Sequence, residues 1–556
     1  MIKDEVMLDR TALRGDASIW TSSSANGVVT SAHYRASEAG ASVLSTGGNA
    51  IDAAIATSLA LGVVEPAASG LGGMAMMMVH LKAEDRTFIL KGPCRAPVNA
   101  RPEDILKLVD EYKKDPANHP IEYNDEEIAG RIRRDGYRSV AVPTYPAVMA
   151  YALERYGTFA MDVLLEPAIR LAEDGYLMSP FQNGVFRFYR SQLRKGNAHK
   201  VFFAGQDEPP APGTRVRQPV LANTLRRLSE QGFKDFYTGS IADEIAYDMK
   251  VNGGYVSKDD LRNIPWPEET EPLRGRFMDM EIRTMPPPGG GTVLIEMLNI
   301  FEAMVTDGFD PDSPEAALLF ATIMRRARSD RRRSFQSKKA KLPDLIDKGY
   351  ARQVAEKLGR EILGGETTHL NVIDKDGNVV ALTQSIERSF GSKVMTPSLG
   401  FLYNGFMKAF KLKNKKHPHY LRPGAVARSN ATPTILFRKG EPVYAIGSTG
   451  SERMASGMFQ VLVRLLSQDS FEAVKAPRLH CTPEREVFLE AERFHPGAIE
   501  LLKDKGFGIN AFTAWDFSAG GLHLAGIDNG KCWGVAEPRR DGASLGPEEV
   551  SRQMNI

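Results

Sequence analysis

The sequence predicts an α+β fold with helices packed outside a central sheet. Three observations carry that reading: an Ala-rich helical segment near residue 50, Gly-rich turns that lead into apolar strand-like runs, and a β-rich hairpin between residues 367 and 385. Gly47-Gly48-Asn49 begins as a turn, and Ala50-Ile51-Asp52-Ala53-Ala54-Ile55-Ala56 continues as a helix whose small side chains allow close packing before Glu65-Pro66 stops it. Ile51 to Val64 is the longest apolar stretch, but it holds Asp52, Thr57 and Ser58 and falls short of the ~20 residues of a membrane span, so it reads as a buried helix. Gly70-Leu71-Gly72-Gly73 leads into Met74 to Leu81 and then Thr87 to Leu90. A phosphate cradle would open a helix, and this loop opens a strand-like run.

From about 100 to 280 the period is mostly helical, with Pro209-Pro210-Ala211-Pro212-Gly213 marking a surface loop; Pro286-Pro287-Pro288-Gly289-Gly290-Gly291-Thr292 is a stiff turn before a helix from Val293. The basic run from Arg325-Arg326-Ala327-Arg328 through Arg331-Arg332-Arg333 to Lys338-Lys339 reads as a solvated helix face. A nucleic-acid site would need aromatics for base stacking, and Phe335 stands alone. Thr367 to Asp374 and Val379 to Ser385 form the hairpin. Gly377 supplies the left-handed conformation of a three-residue loop, Lys375-Asp376-Gly377, which pairs Asp374 with Asn378 and, continuing that register, sets Thr367 opposite Ser385. Two hydroxyls so placed can hydrogen-bond.

At 556 residues the chain exceeds one ordinary domain, and 71 Lys+Arg against 69 Asp+Glu leave a net charge of +2, which excludes a chain-wide polyanion-binding composition. Neither a nucleic-acid nor a membrane partner is expected. The three cysteines, Cys94, Cys481 and Cys532, form no CxxC spacing and point to a reducing compartment without structural zinc. The N-terminus Met1-Ile2-Lys3-Asp4-Glu5-Val6 has no apolar h-region of a secretory signal, so the expected location is cytoplasmic. No metal-ligand cluster or dinucleotide fingerprint stands out, and no cofactor is expected.

Thr367-Thr368-His369, Ser385, Asn404-Gly405, Thr432-Pro433-Thr434 and Gly447-Ser448-Thr449-Gly450-Ser451 resemble, in order and spacing, the γ-glutamyltransferase family of N-terminal-nucleophile hydrolases. The resemblance extends through Gly47 to Ala54, Gly62-Val63-Val64-Glu65-Pro66 with Gly70 to Gly73, Pro167-Ala168-Ile169 with Ala172, Ala476-Pro477-Arg478, and Glu537-Pro538-Arg539-Arg540-Asp541-Gly542. It implies a four-layer αββα sandwich built jointly by both halves of a self-cleaved precursor. The matching bond is Glu366–Thr367, leaving a large subunit 1–366 and a small catalytic subunit 367–556. It also implies Thr367 as nucleophile, Ser385 as the second hydroxyl, the backbone N–H groups of Gly450 and Ser451 as the oxyanion hole, and a small-molecule amide substrate. The chemistry is physically sound, because an α-amine freed by cleavage titrates near pH ~7.7–8.0 and can take the Thr proton, whereas the amide before cleavage cannot. The oligomeric state stays open, a homodimer or a dimer of processed heterodimers included.

The sequence departs from the family pattern where the substrate's α-amine is gripped. The run Asn404-Gly405-Phe406-Met407-Lys408-Ala409 carries Ala409 at the family's Asp and Lys408 where another acid is common. The paired serines for the α-carboxylate fall at Ser429 and Asn430, the Asn after the second hydroxyl is Glu387, and Arg95 beside Ala96-Pro97 is the best candidate for a carboxylate contact. Lys408, Arg428 and the loop Lys411-Leu412-Lys413-Asn414-Lys415-Lys416-His417, which lies where the family carries a lid, suggest an acyl or leaving group that bears a carboxylate and lacks the α-ammonium; the bland alternative for the loop is simple solvation. Three readings therefore stand: a γ-glutamyl amidohydrolase or acyltransferase, an amidase of the glutaryl-, oxamate- or cephalosporin-acylase kind, and a non-processed relative with a binding or structural role.

Overall fold

The computed structural model describes residues 15–114, 125–305, 308–334, 345–354 and 367–554. Two seven-stranded sheets, antiparallel throughout, organise it. One runs in the order Thr21–Ser24, Lys531–Val535, Leu522–Asp528, Glu441–Ser448, Thr434–Arg438, Met280–Thr284, Leu273–Phe277. The other runs Ala543–Leu545, Gly27–Ser31, Thr368–Asp374, Val379–Ser385, Met74–Leu81, Arg86–Gly92, Glu269–Thr270. Each sheet mixes strands from before and after Thr367, so neither side of that residue can close a core alone.

Strand alternation builds the layers. In the second sheet Met76, Met78, Ile373 and Ala381 point at Ile435, Phe437, Ala445 and Ala525 of the first, forming the layer between the sheets. Met77, Val79, Leu370 and Val372 point the other way, under the helices Tyr34–Ser45, Ala50–Val64 and Tyr145–Tyr156. The outer face of the first sheet, including Ile282, Leu436, Ile446 and Leu524, lies under Gly291–Met304, Pro314–Ser334 and Arg453–Arg464. The order is helix, sheet, sheet, helix, the sandwich expected.

The Ala-rich segment forms the helix Ala50–Val64, capped by Asn49 and Asp52 in a reciprocal box. Its almost unbroken burial explains the small side chains. The Gly-rich loop leads into the strand Met74–Leu81, as expected. The hairpin also has the expected register: Ile373 faces Val379, Thr368 faces Gln384, and the Asp374 N–H donates to the Asn378 carbonyl at 3.1 Å around a loop with Gly377 at φ +79°. Asp374 holds that turn. Its carboxylate accepts from the N–H groups of Asp376 (3.0 Å) and Asn378 (2.9 Å), the Asn378 amide (2.8 Å) and the N–H of Ala50 at the helix start (3.0 Å).

One expectation is corrected. The basic run was expected on a solvated face, but in the helix Pro314–Ser334 the residues Arg325 and Arg326 are only 3% and 8% exposed. Arg328 and Arg331 also turn inward, onto backbone carbonyls and polar side chains of remote segments, while Arg332 and Arg333 do face solvent. A guanidinium has five donors; Arg326 uses the local i,i+4 partner Asp330, whereas the acceptors of Arg328 and Arg331 come from remote loops that no local pattern reveals. Lys338 and Lys339 lie outside the described residues. Among the described residues, no helix is long and apolar enough to cross a membrane.

The four bonds to Asp374 make Asp374→Ala a test of the register. Truncation leaves buried donors unpaired at the turn and the helix start, and should lower stability by about 2–4 kcal/mol, read from the midpoint of chemical unfolding.

Candidate active site

Thr367 stands one residue before its strand, and the same alternation that sends Leu370 and Val372 to the helices turns Thr367, His369 and Asn371 toward the other sheet. Thr383 and Ser385 share that face on the partner strand. Thr367 and Ser385 are buried, 4% and 2% exposed, and the Thr367 hydroxyl donates to Ser385 Oγ over 3.3 Å. Ser385 Oγ also accepts the N–H of Glu387 at 2.9 Å.

His369, two residues on from Thr367, is no base for it. Its Nε2 meets Asn371 Oδ1 and its Nδ1 meets Thr383 Oγ1, both at 2.9 Å, and burial holds the imidazole down to about 4, so it is neutral near pH 7. Because Oδ1 can only accept, Nε2 carries the proton and Nδ1 accepts from Thr383. Asn371 continues to the His523 carbonyl at 3.0 Å, tying the two sheets together.

Gly447 lies against the His369 ring: a Cβ at 447 would stand 2.2 Å from its Cε1. That close approach carries the strand Glu441–Ser448 over the Thr367 end of the hairpin and places the turn that follows it there. In this turn Gly450 and Ser451 are consecutive left-handed residues, φ +97° and +56°, before the helix Arg453–Arg464. Neither N–H donates to a protein acceptor among the described residues. A serine at positive φ stores strain, which persists only where the surroundings fix it.

Three sets of contacts fix this one, the first being Arg328 Nη1 on the carbonyl of the next residue, Glu452, at 3.0 Å. Asn430 Nδ2 donates to Ser451 Oγ at 3.2 Å. On the other side Thr449 exchanges hydrogen bonds with Gly521, its N–H to the Gly521 carbonyl (2.7 Å) and its Oγ1 from the Gly521 N–H (2.8 Å). Behind Gly520 and Gly521 lies a buried ionic frame. Arg478 donates to the Gly520 carbonyl (3.2 Å) and to Glu537, Glu537 accepts the Leu522 N–H (2.8 Å), and Arg539 bridges Glu537 and Glu490. Burial pushes the Glu537 carboxyl up, but Arg478 and Arg539 outweigh it and hold it at about 2.

The expected substrate residues gather unevenly. Glu387 has φ +82°, and its Oε2 is buried without a hydrogen-bond partner among the described residues, near Gly405. Burial raises its carboxyl, opposed by Arg388, Lys408, Lys393 and Arg428. Lys408 reaches solvent from the turn Phe406–Ala409; partial desolvation of its ammonium and the Arg388 charge lower it, and Glu387 opposes them. Ser429 is buried, its Oγ accepting the Ala431 N–H at 3.0 Å, beside the half-exposed Arg428 whose Nη2 lies 3.8 Å from Glu452. Arg95 is bridged to Val426, three residues before Ser429. Its Nη1 donates to the Gly424 carbonyl at 3.3 Å, burial lowers its guanidinium, and it pairs with no carboxylate among the described residues. The loop from Lys411 to His417 is largely solvated, Lys413 reaching Asp125 at 3.3 Å. Among the described residues no cluster of three or more His, Cys, Asp or Glu could hold a metal ion.

A family profile described as Gamma-glutamyltranspeptidase matches residues 36–546. The chain belongs to that family. It is 31% identical over 560 residues to a glutathione hydrolase proenzyme of Pseudomonas sp. (strain A14), covering 94% of each chain. It is also 31% identical over 477 residues to the Acylase ACY 1 proenzyme of Pseudomonas sp. (strain SE83), covering 82% of this chain and 83% of that one. The crystal structure of cephalosporin acylase from Bacillus halodurans superposes with a TM-score of 0.82 at 27% identity, covering 95% of this chain and 96% of that chain. The protein is therefore an enzyme of this family's N-terminal-nucleophile type.

Sequence reasoning named Thr449, Arg478 and Glu537 only as motif residues of the resemblance, without a role, and read Arg331 as part of a solvated face.

The contact of Gly447 with His369 gives a test. Gly447→Ala should cut the amide-hydrolysis rate at least about 10-fold by displacing the turn, whereas Gly184→Ala, with open space around it in the helix Pro180–Leu193, should leave the rate unchanged.

Proposed function

We propose that the chain is a precursor that cuts itself between Glu366 and Thr367 and then acts as an N-terminal threonine amidohydrolase or acyltransferase on γ-glutamyl amides of the glutathione type. The supporting observation is the buried Thr367–Ser385 hydroxyl pair at the end of the inter-sheet layer, beside a turn with two N–H groups that meet no acceptor among the described residues, in a chain of this family. Glu366 lies outside the described residues.

In this reading Thr367 Oγ attacks the amide carbonyl and the freed Thr367 amine takes its proton. The N–H groups of Gly450 and Ser451 receive the charge that develops on the carbonyl oxygen. The amine then returns the proton to the departing nitrogen, an ester is left on Thr367, and water or an amine acceptor releases the acyl group. Ser385 orients the nucleophile. Arg95, Ser429 and Asn430 take the substrate carboxylate, and Glu387 and Lys408 line the same end. The subunits 1–366 and 367–556 stay joined after cleavage because both sheets share their strands. Three buried, unpaired cysteines are compatible with a reducing, cytoplasmic setting.

A second reading keeps the machinery and changes the acyl group to one with a carboxylate and no α-ammonium. It is favoured by Ala409 and by the cations Lys408 and Arg428, which both act on Glu387, and the similarity to acylases accompanies it.

Two outcomes test these readings. Purified protein should resolve into fragments of about 40 and 20 kDa, in proportion to the 61.2 kDa of the whole chain, and Thr367→Ala should stay uncut and inactive. An uncut wild type that still turned over an amide would remove the proposal. On the processed enzyme, faster hydrolysis of γ-glutamyl- than of glutaryl-p-nitroanilide selects the first reading, and the reverse selects the second.

A further inference from the structure

Two inward-facing cations of the basic run reach the site: Arg328 holds Glu452, the residue after Ser451, and Arg331 reaches the loop at 429–431. Arg331 Nη1 donates to Asn430 Oδ1 at 2.9 Å, and its Nη2 serves the carbonyls of Ser429 (2.9 Å), Pro288 (3.2 Å) and Gly289 (3.4 Å). It pairs with no carboxylate among the described residues. The guanidinium thus joins three segments distant in sequence: its own helix, the turn from Pro286 to Gly291, and the loop at 429–431. The same loops also lock directly, with the Gly290 N–H on the Ala431 carbonyl at 3.0 Å.

The contact to Asn430 has a directional consequence. A guanidinium can only donate, so the Asn430 carboxamide must turn Oδ1 toward Arg331, which leaves Nδ2 to donate to Ser451 Oγ. Ser451 is the residue at φ +56° that needs outside contacts to hold its conformation, and its N–H is one of the two in this turn that meet no acceptor among the described residues. With both Nη atoms committed to the protein, Arg331 does not reach for substrate itself.

We infer that Arg331 is a positioning residue for the catalytic turn, acting through the orientation of the Asn430 carboxamide on Ser451. This rests on the reading of Gly450 and Ser451 as oxyanion donors. A lysine at 331 would keep the charge but could not form the fork that serves Asn430 and three carbonyls at once.

The test is a double-mutant cycle with two readouts. On the processed enzyme, Arg331→Lys and Asn430→Ala should each lower kcat for the preferred p-nitroanilide by roughly 10- to 100-fold, and Arg331→Lys made in the Asn430→Ala background should change kcat less than about 2-fold further. Losses that multiply, or a kcat untouched by Arg331→Lys, overturn the inference. Amide hydrogen exchange of the peptide spanning 449–452 should accelerate in Arg331→Lys and in Asn430→Ala alike and stay unchanged in Arg332→Gln; unchanged exchange in Arg331→Lys overturns the inference without reference to turnover. A wild type that hydrolyses no amide refutes the proposed function instead, and the exchange readout still decides the positioning role. Were Arg331→Lys not to fold, faster exchange at 449–452 in Asn430→Ala would support the link to Ser451, and unchanged exchange there would overturn it.

Discussion

The register of the central hairpin is the constraint on which the site depends. Side chains on a strand alternate with period two, so a slip of one residue would send Thr367 under the helices and bring Thr368 to the inter-sheet face. Asp374 prevents that slip by accepting four hydrogen bonds at the turn, one of them from the first residue of the Ala-rich helix. Local turn chemistry at one end of the hairpin therefore sets which hydroxyls meet at the other.

The second sheet supplies the opposite wall, and its position is set by close contact. Gly447 on His369 brings the strand across the Thr367 end, and the strained turn that follows is braced by Asn430, by Gly520-Gly521 on the ionic frame and by Arg328 on Glu452. Buried ion pairs stabilise a fold little compared with apolar packing, but losing one partner leaves a stranded charge and costs about 3–5 kcal/mol. In this chain the frame fixes carbonyl and N–H positions behind the turn at 449–451, where a Leu or Met could pack but could not hold the backbone.

Much of this was legible in the residues. The buried helix, the strand after the Gly-rich loop and the pairing of Thr367 with Ser385 follow from periodicity, capping and the position of Gly377, all local signals. The layer order and the family came through the resemblance, since no local pattern states which strands from residues 21–31 and 531–545 lie beside one another. Arg331 was misread because a run of arginines is ordinarily solvated, and its acceptors at 288, 289, 429 and 430 converge only in the folded chain. The acyl specificity follows from no single residue: the loss of an acid at Ala409 and the presence of Glu387 pull toward different substrates.

The central claim is that Thr367, freed at its amine, carries the acyl group. It is tested most directly by mass spectrometry of processed protein quenched during turnover of a slow amide substrate and digested to peptides. The account requires the acyl mass on the peptide that begins with Thr367, with its α-amine free before substrate is added. An acyl group on any other residue, or carried by the uncut chain, would contradict it.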